Sequence, residues 1–503
     1  MTVVDIGDTS HPRPHVGHHT SAPRAGPRRR VTRELAPCDS RSGVPPAVTE
    51  LIHLGLRSRA AYLEVPPVAR RLRRLDTSSS SIARRHEASI RTVLISHIAS
   101  NLPGRGVGAL RGENLYVTGD TLLEDVWRAF DSHGLEPAAC PPVITSQTVA
   151  GALATGTHAQ GLSSGTFSDC VAAVEFMDGT GTLHRLTPAD AEFDAAVLNL
   201  GCLGVVVGLE LRGRPAKELH CTRFTASEDS LPERYAAWNR ESVAAKSWWF
   251  TEHQVAHTWV ADDDSWAPTA SEAQGPADLD RIVTRTRRQL MADIGDGQGR
   301  TPAAQTLEKF LGARDSKGTL HEIFRNGIPA PQLNMEIAVP LDAVPRAYAG
   351  LKELLRASPY KLHYPVILRT TGPARGHLSP TLAVPATYFG FVSYMTAVGS
   401  ITTARPLFDD IQRLLYGLGG RPHWGKYFTP ELLPASNTDG FHRFRRALSR
   451  FDPHRRFEND TFYRTLGLSP ARPGTAGSAP LRRTRLPGQR TEPRPTAPTR
   501  HQG

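Results

Sequence analysis

Hydrophobic and polar positions keep a readable period between about residue 107 and residue 467, and lose it outside those limits. "GENLYVTGDTLLEDVWRAFDSHGLEP" opens with an alternating run that predicts a short strand and a turn. Leu122, Leu123, Val126, Trp127 and Phe130 then fall at helical spacing, and "HGLEP" ends the helix. "DCVAAVEFMDGTGTLHRLTP" predicts a hairpin: an apolar run, a turn at Asp178-Gly179-Thr180-Gly181, and a second strand. "DAEFDAAVLNLGCLGVVVGLELRG" predicts a short helix, a glycine turn and a long apolar strand. After about 215 the pattern is mixed α and β with polar insertions, notably over 261–305. "PQLNMEIAVPLDAV", "YPVILRTTG" and "ATYFGFVSYMTA" predict strands. "PLFDDIQRLLYGLG" predicts a helix closed by glycine, and "GFHRFRRALSRFDPHRRF" a basic helix stopped at Pro453. There is no internal repeat.

The flanks read differently. Residues 1–47 are polar and punctuated by Pro, Gly and His, and the 468–503 tail is Pro/Arg/Thr-rich; both are expected to be disordered. Residues 48–100 carry weak helical periodicity, a serine run and almost no strand signal. The chain of 503 residues is therefore divided into an α+β first domain over 48–215, atypical up to 106, and a second domain over 216–467.

Charge changes this picture only at the ends. The net charge of +11 suggests nucleic acid or membrane at first sight. Residues 1–100 hold 16 Arg, no Lys and eight acids, and residues 468–503 hold seven Arg and one acid. Between them stand 37 basic and 40 acidic residues, so the folded middle is slightly acidic. Neither end interleaves aromatics with its arginines, so no nucleic-acid partner is expected. No apolar run reaches the ~18 residues a membrane helix needs, and no membrane partner is expected. "PRRRVTREL" has no apolar segment behind it, so no signal peptide is expected and a cytoplasmic protein is the default. Five cysteines without a C-x-x-C pair fit neither a disulfide framework nor a zinc site. The histidines His11, His15, His18 and His19 read as a solvated tail, and no metal site is assigned.

"TVAGALATGTHAQG" (148–161) is the densest chemical signal. Ten of its fourteen residues are Gly, Ala or Thr. A structural turn cluster, a nucleotide phosphate loop and the lining of a bulky planar cofactor all compete for it. The G-x-G-x-x-G and G-x-x-x-x-G-K-[ST] patterns are absent. Backbone N–H groups and hydroxyls on a small-residue loop suit a pyrophosphate and a ring system.

"PPVITSQTVAGALATGTHAQG", followed by "LGCLGVVVGLELR", resembles the flavin domain of the FAD-linked aldonolactone and alditol oxidases, a family with a vanillyl-alcohol-oxidase-type flavin fold. "RPHWGKYFT", "RFDPHRRFENDTFYRTLG", "MEIAVP" and "ILRTTGPARGHLSP" resemble the same family's substrate domain. The resemblance covers about 107–467, weakly through 216–330. It implies a two-domain flavoprotein: an N-terminal FAD-binding domain and a C-terminal α/β cap that builds the substrate pocket. It implies oxidation of a CH–OH group by hydride transfer to flavin N5, with reoxidation by O2 or another acceptor. Thr148 matches a small hydroxyl residue close to flavin and substrate. Gly151, Thr155, Gly156, His158, Gln160, Gly161, Leu162 and Ser163 match the stretch around the cofactor, with His158 packed beneath it. Val205 and Val206 match the strand over the adenine half. Arg369 and Lys426 match the two cations beside the reactive carbon, where fixed positive charge stabilises developing negative charge. His423 is placed with them against the substrate. A lysine partly buried beside an arginine is expected to have a lowered pKa, suited to proton transfer.

Two departures qualify the resemblance. The G-x-G-H-S unit that cradles the FAD pyrophosphate, and whose histidine often carries the flavin covalently, is missing; the nearest histidine is His97 in "LISHIAS". Divergence and a shifted reading frame over the first hundred residues both account for this, and FAD is expected to be non-covalent. Polyol-oxidising relatives place a glutamate two residues before the strand arginine, where this chain has Ile367, and "YFGFVSY" lacks the His/Thr pair that some relatives use. A less polar or bulkier alcohol, or a lactone, is the expected substrate. The alternative is a flavoprotein relative that has lost catalysis and serves as a binding protein.

Overall fold

The structure, a computed structural model, describes residues 106–457 except 140–143, 145, 271, 273–277, 296–301, 312–314, 326–331, 382–383, 395–399 and 434–438. The expected disordered ends, the ambiguous 48–100 stretch and His97 lie outside the described residues.

The first sheet takes its strands from the near end of that span. They are β1 (Val107–Arg111), β2 (Asn114–Thr118), β3 (Leu135–Pro137), β4 (Val171–Asp178), β5 (Leu183–Leu186) and β6 (Gly204–Pro215). They run in the order β1-β2-β6-β4-β5, with β3 also paired to β6, and every pairing is antiparallel. Helix α1 (Leu123–Asp131) buries Leu123, Val126, Trp127 and Phe130, the stripe its spacing predicts, while Leu122 stands at the N-cap. In the β4–β5 hairpin, the Asp178 carboxylate accepts from the backbone N–H groups of Thr180 and Thr182 and closes the turn.

The Gly/Ala/Thr stretch is not a loop throughout. Val149–Ala154 forms a short helix, α2. Thr148 caps it, its hydroxyl oxygen accepting from the Gly151 N–H at 3.2 Å. Alanine and leucine are good helix formers, so six of these residues coil. Gly156, at φ +65°, ends the helix: its N–H reaches Leu153 O and that of Thr157 reaches Ala152 O. This is the closure that favours glycine just past a helix end.

The second sheet has eight strands: β7 (Leu219–Ser227), β8 (Ala244–Phe250), β9 (Val255–Asp262), β10 (Ser316–Gly318), β11 (Gln332–Pro340), β12 (Val366–Thr371), β13 (Ala386–Tyr394) and β14 (Arg421–Pro422). Their order is β10-β7-β9-β8-β12-β13-β11-β14. The longer helices of this half are α3 (Leu231–Glu241), α4 (Leu279–Asp293), α5 (Val344–Ala357), α6 (Ser400–Gly417) and α7 (Asp439–Phe451).

Alternation along these strands makes two unlike faces. Leu333, Met335, Ile337 and Val339, with Val366, Leu368, Phe389, Phe391, Ala245 and Trp249, form a core under α3, α5 and α6. The intervening residues look the other way, toward the first domain. There Trp248, Trp259, Ile367, Val392 and Tyr394 join an apolar cluster that continues into the first sheet's core.

Candidate active site

The first-domain segment after α2 lies along the second sheet. Gln160 Nε2 donates to Ala245 O at 2.7 Å. The Gly161 N–H donates to Thr370 O at 2.8 Å, and that of Gly372 to Ser164 O at 2.9 Å. Gly161 has φ +91°, and a Cβ there would stand 2.3 Å from Val243 O. The close approach that this glycine permits is therefore to β8 and β12 of the other sheet.

Beneath that seam lies a charge cluster built from strand register. Glu336 on β11 and Ile367 on β12 both pair with Gly390 of β13, and Arg369 on β12 pairs with Tyr388 of β13 and Lys246 of β8. The Glu336 carboxylate is fully buried. It pairs with the Arg369 guanidinium through Nη2 and with Lys426 Nζ at 2.6 Å, and His158 Nε2 lies 3.4 Å from it. The 423–427 segment is pinned to β11 by bonds from His423 N to Glu336 O and from Tyr427 N to Asn334 O, both 2.9 Å. His158 crosses from the first domain, stacked on Tyr388 with ring centroids 3.8 Å apart.

The electrostatics follow from this arrangement. Burial alone would raise the Glu336 carboxyl, but Arg369 and Lys426 outweigh it and hold it well below the ordinary range. Burial, reinforced by Arg369, pushes His158 down to about 4 against the pull of Glu336, so the ring is neutral at pH 7. Its Nδ1 lies 2.9 Å from Ala159 O, and its Nε2 faces the Glu336 carboxylate. Burial and Lys426 push His423 well below the usual histidine value. Its Nδ1 accepts from the Gly425 N–H at 3.0 Å. Burial lowers Lys426 below 10.5; Glu336 pulls it back and Arg369 pushes it down again.

Arg369, Lys426, His423 and His158 are thus brought together. Thr155 lies close by: a Cβ on Gly425 would stand 3.1 Å from its hydroxyl oxygen. Thr148 caps α2, whose residues include Gly151. Gly156 closes that helix, and Gln160, Gly161 and Leu162 lie on the interdomain seam, with Ser163 between Leu162 and Ser164. Val205 and Val206 are buried on β6 of the first sheet, where they pair with Met177 and Phe176 of β4. Sequence reasoning missed Glu336, Tyr388 and Lys246, although each is a polar or charged side chain inside an apolar strand run.

His158, Glu336 and His423 present potential metal-ligand atoms within 4.8 Å of one another. Arg369 and Lys426 already neutralise the carboxylate, so a further cation would meet two positive charges and gain little. The residues suit FAD better. Gln160 Oε1, Ser164 Oγ, Asn334 Oδ1 and Arg369 Nε are buried and have no hydrogen-bond partner among the described residues. Such atoms cost about 1–3 kcal/mol each when left unpaired. A polar ring with both donor and acceptor edges would satisfy them, beside two fixed cations.

Residues 209–465, just over half of the chain, match the D-arabinono-1,4-lactone oxidase family, and residues 115–187 match the FAD binding domain. The chain belongs to the D-arabinono-1,4-lactone oxidase family. It is a FAD-linked oxidoreductase of the CH–OH-oxidising type. It is similar to an L-gulonolactone oxidase of Bos taurus, 26% identical over 61% of this chain and 70% of that protein. It is similar also to an alditol oxidase of a Streptomyces species, 27% identical over 70% of this chain and 80% of that protein. In fold it resembles a cholesterol oxidase from Brevibacterium sterolicum, with TM-score 0.55 and 15% identity over 72% of this chain and 83% of that one. No helix among the described residues is long and apolar enough to cross a membrane.

Proposed function

We propose that the seam between the glycine-containing segment and the second sheet oxidises the CH–OH group of a sugar lactone or a sparsely hydroxylated alcohol, with Arg369 and Lys426 as the catalytic cations. The observation that carries this reading is the pairing of both cations to one buried carboxylate, Glu336, beneath the FAD-binding segment. FAD, when bound, supplies the hydride acceptor. Arg369 holds positive charge where the substrate oxygen gathers negative charge. Lys426, its pKa lowered by burial, exchanges the hydroxyl proton. Glu336 keeps both cations aimed and stops them from repelling each other. His158 and His423 are neutral walls that add no competing charge.

The substrate reading rests on Ile367. It stands directly across β12–β13 from Gly390, on the face that carries Arg369, and cannot accept hydrogen bonds from a row of hydroxyls. Lactone and alditol oxidation by the named relatives supports a small-molecule substrate. We further read the FAD as non-covalent, the acceptor as O2 or another oxidant, and the setting as cytoplasmic.

The test is the visible spectrum of the purified protein before and after acid precipitation. Flavin absorbance that stays in the supernatant supports non-covalent FAD. Colour in the pellet would show a covalent link, with His97 the first residue to substitute. Protein that stays colourless with added FAD would sink the reading.

A further inference from the structure

The second domain reaches across the seam with one loop, residues 372–379, directly after the strand that carries Arg369. Glycine lets the loop come close. A Cβ at Gly165 would stand 2.6 Å from both Ala374 Cβ and Pro373 O. Asp169, just ahead of β4, meets the loop there with both oxygens of its carboxylate. Oδ2 accepts from the Thr166 N–H at 2.8 Å, and Oδ1 accepts from the Arg375 N–H at 3.0 Å. One carboxylate thus holds one backbone N–H from each half of the molecule. Charge-assisted bonds of this kind are roughly twice as strong as neutral ones.

Both ends of this link lead to the site. Thr166 follows the segment whose Gly161 N–H meets Thr370 O on the second sheet. The loop runs back from Arg375 to Gly372, whose N–H meets Ser164 O at 2.9 Å, and so to Arg369 on β12. It runs on to Leu378, whose carbonyl accepts from the Trp424 indole N–H at 2.7 Å. Trp424 lies between His423 and Lys426 in a turn closed by the Lys426 N–H on His423 O at 3.0 Å. Leu378 and Trp424 are both buried, where a lost bond is not replaced by water. The two cations that share Glu336 are therefore tied, through one loop, to the FAD-binding segment. The Arg375 side chain joins the halves separately: its Nε donates to Asp194 Oδ1 at 3.0 Å, at a partly exposed surface. Replacing that side chain leaves the backbone link to Asp169 in place.

We propose that Asp169 is a positioning residue for the oxidation: its carboxylate sets Arg369 and Lys426 at their working distance from the FAD-binding segment. This rests on the reading of the seam as the FAD-linked alcohol-oxidising site. Asp169 acts through the loop, on turnover rather than on substrate affinity, since a misplacement of about 1 Å at a reacting centre can cost about 10²-fold in rate.

The test compares Asp169→Asn with Arg375→Met in the FAD-loaded full chain, using L-gulonolactone and 1,2-hexanediol as probe substrates. Asp169→Asn should lower kcat per bound flavin by about ten-fold or more while KM stays within about two-fold, and Arg375→Met should leave both within about two-fold. Backbone hydrogen exchange over 372–379 should also quicken in Asp169→Asn, a readout independent of turnover. Trp424→Phe, which keeps a ring but loses the bond to Leu378, takes the place of Asp169→Asn if that variant does not hold FAD, with the same loss of kcat expected. An unchanged kcat per bound flavin, even with a lower urea midpoint, would make Asp169 merely structural and overturn the proposal. So would unchanged exchange over the loop, or an equal loss of kcat in Arg375→Met, since general adhesion between the halves would then account for it. Wild-type protein that takes up no FAD, or that oxidises neither probe, would overturn the functional reading together with the proposal, which separates that failure from the others.

Discussion

The two faces of the second sheet are made by the same strands and do opposite work. One step along β11 or β12 moves a side chain from one face to the other. Leu333, Met335, Ile337 and Val339 fill a core with helices α3, α5 and α6. Asn334 and Glu336, interleaved with them, point into the seam with the first domain. On β12, Val366 and Leu368 pack outward against the helices, while Ile367 and Arg369 face inward. The helix-covered face gains stability from apolar area, and its contents could be exchanged for others of similar volume. Around Glu336 the seam face is organised by charge, beside the apolar patch of Trp248, Trp259, Val392 and Tyr394. The pairing partners are the same; what differs is whether burial is compensated by contact or by countercharge.

That contrast can be broken at its strongest point first. Glu336→Gln leaves Arg369 and Lys426 buried without their carboxylate. Loss of one partner from a buried ion pair costs about 3–5 kcal/mol, and urea unfolding should show it, with turnover falling as well. An unchanged unfolding midpoint would mean the seam face is not held together by charge. Leu368→Ala, one residue from Arg369 but on the helix side, should cost about 2–5 kcal/mol of stability. The kcat/KM of its folded fraction should not move; a loss there would show that the faces are coupled. Arg369→Met should retain FAD and lower kcat by about 10²–10³-fold, the usual effect of removing one fixed charge at a developing anion. Its stability loss should be the smaller of the two charge changes, since Lys426 still pairs with Glu336.

The finest test is a pH profile. Lys426 is lowered from 10.5, chiefly by burial, so its neutral form appears at a lower pH than a free lysine would give. If it takes the hydroxyl proton, kcat/KM should rise with pH through a pKa below 10.5. Lys426→Arg should remove that limb, because arginine stays protonated throughout. A limb that persists in the variant would assign the titration elsewhere.

Much of this architecture is legible in the amino-acid sequence. The stripe on α1 announces itself by period and the β4–β5 hairpin by its turn residues, while strands β11, β12 and β13 are legible as apolar runs rich in β-branched and aromatic residues. Strands β7, β8 and β9 are not. "AAKSWWF" and "VAHTWVAD" are buried on both sides, so neither shows alternation. Arg369 and Lys426 are visible through family resemblance, not through spacing. Glu336 hides inside the run "NMEIAVP", since nothing local says which distant cations a strand glutamate will meet. The half of the glycine stretch that coils into α2 reads as loop, because small residues signal loop and helix alike; only the Thr148 cap and the Gly156 stop distinguish them.

The seam between Gly161 and Thr370, and between Gly372 and Ser164, stitches backbone to backbone across the two halves. His158 comes from one half and the residues it meets from the other. Neither half is therefore a portable module. A chimera that exchanges the cap between relatives would have to carry 158–165 along with 366–372, and a chain split near residue 215 would regain its chemistry only if both pieces refold against each other.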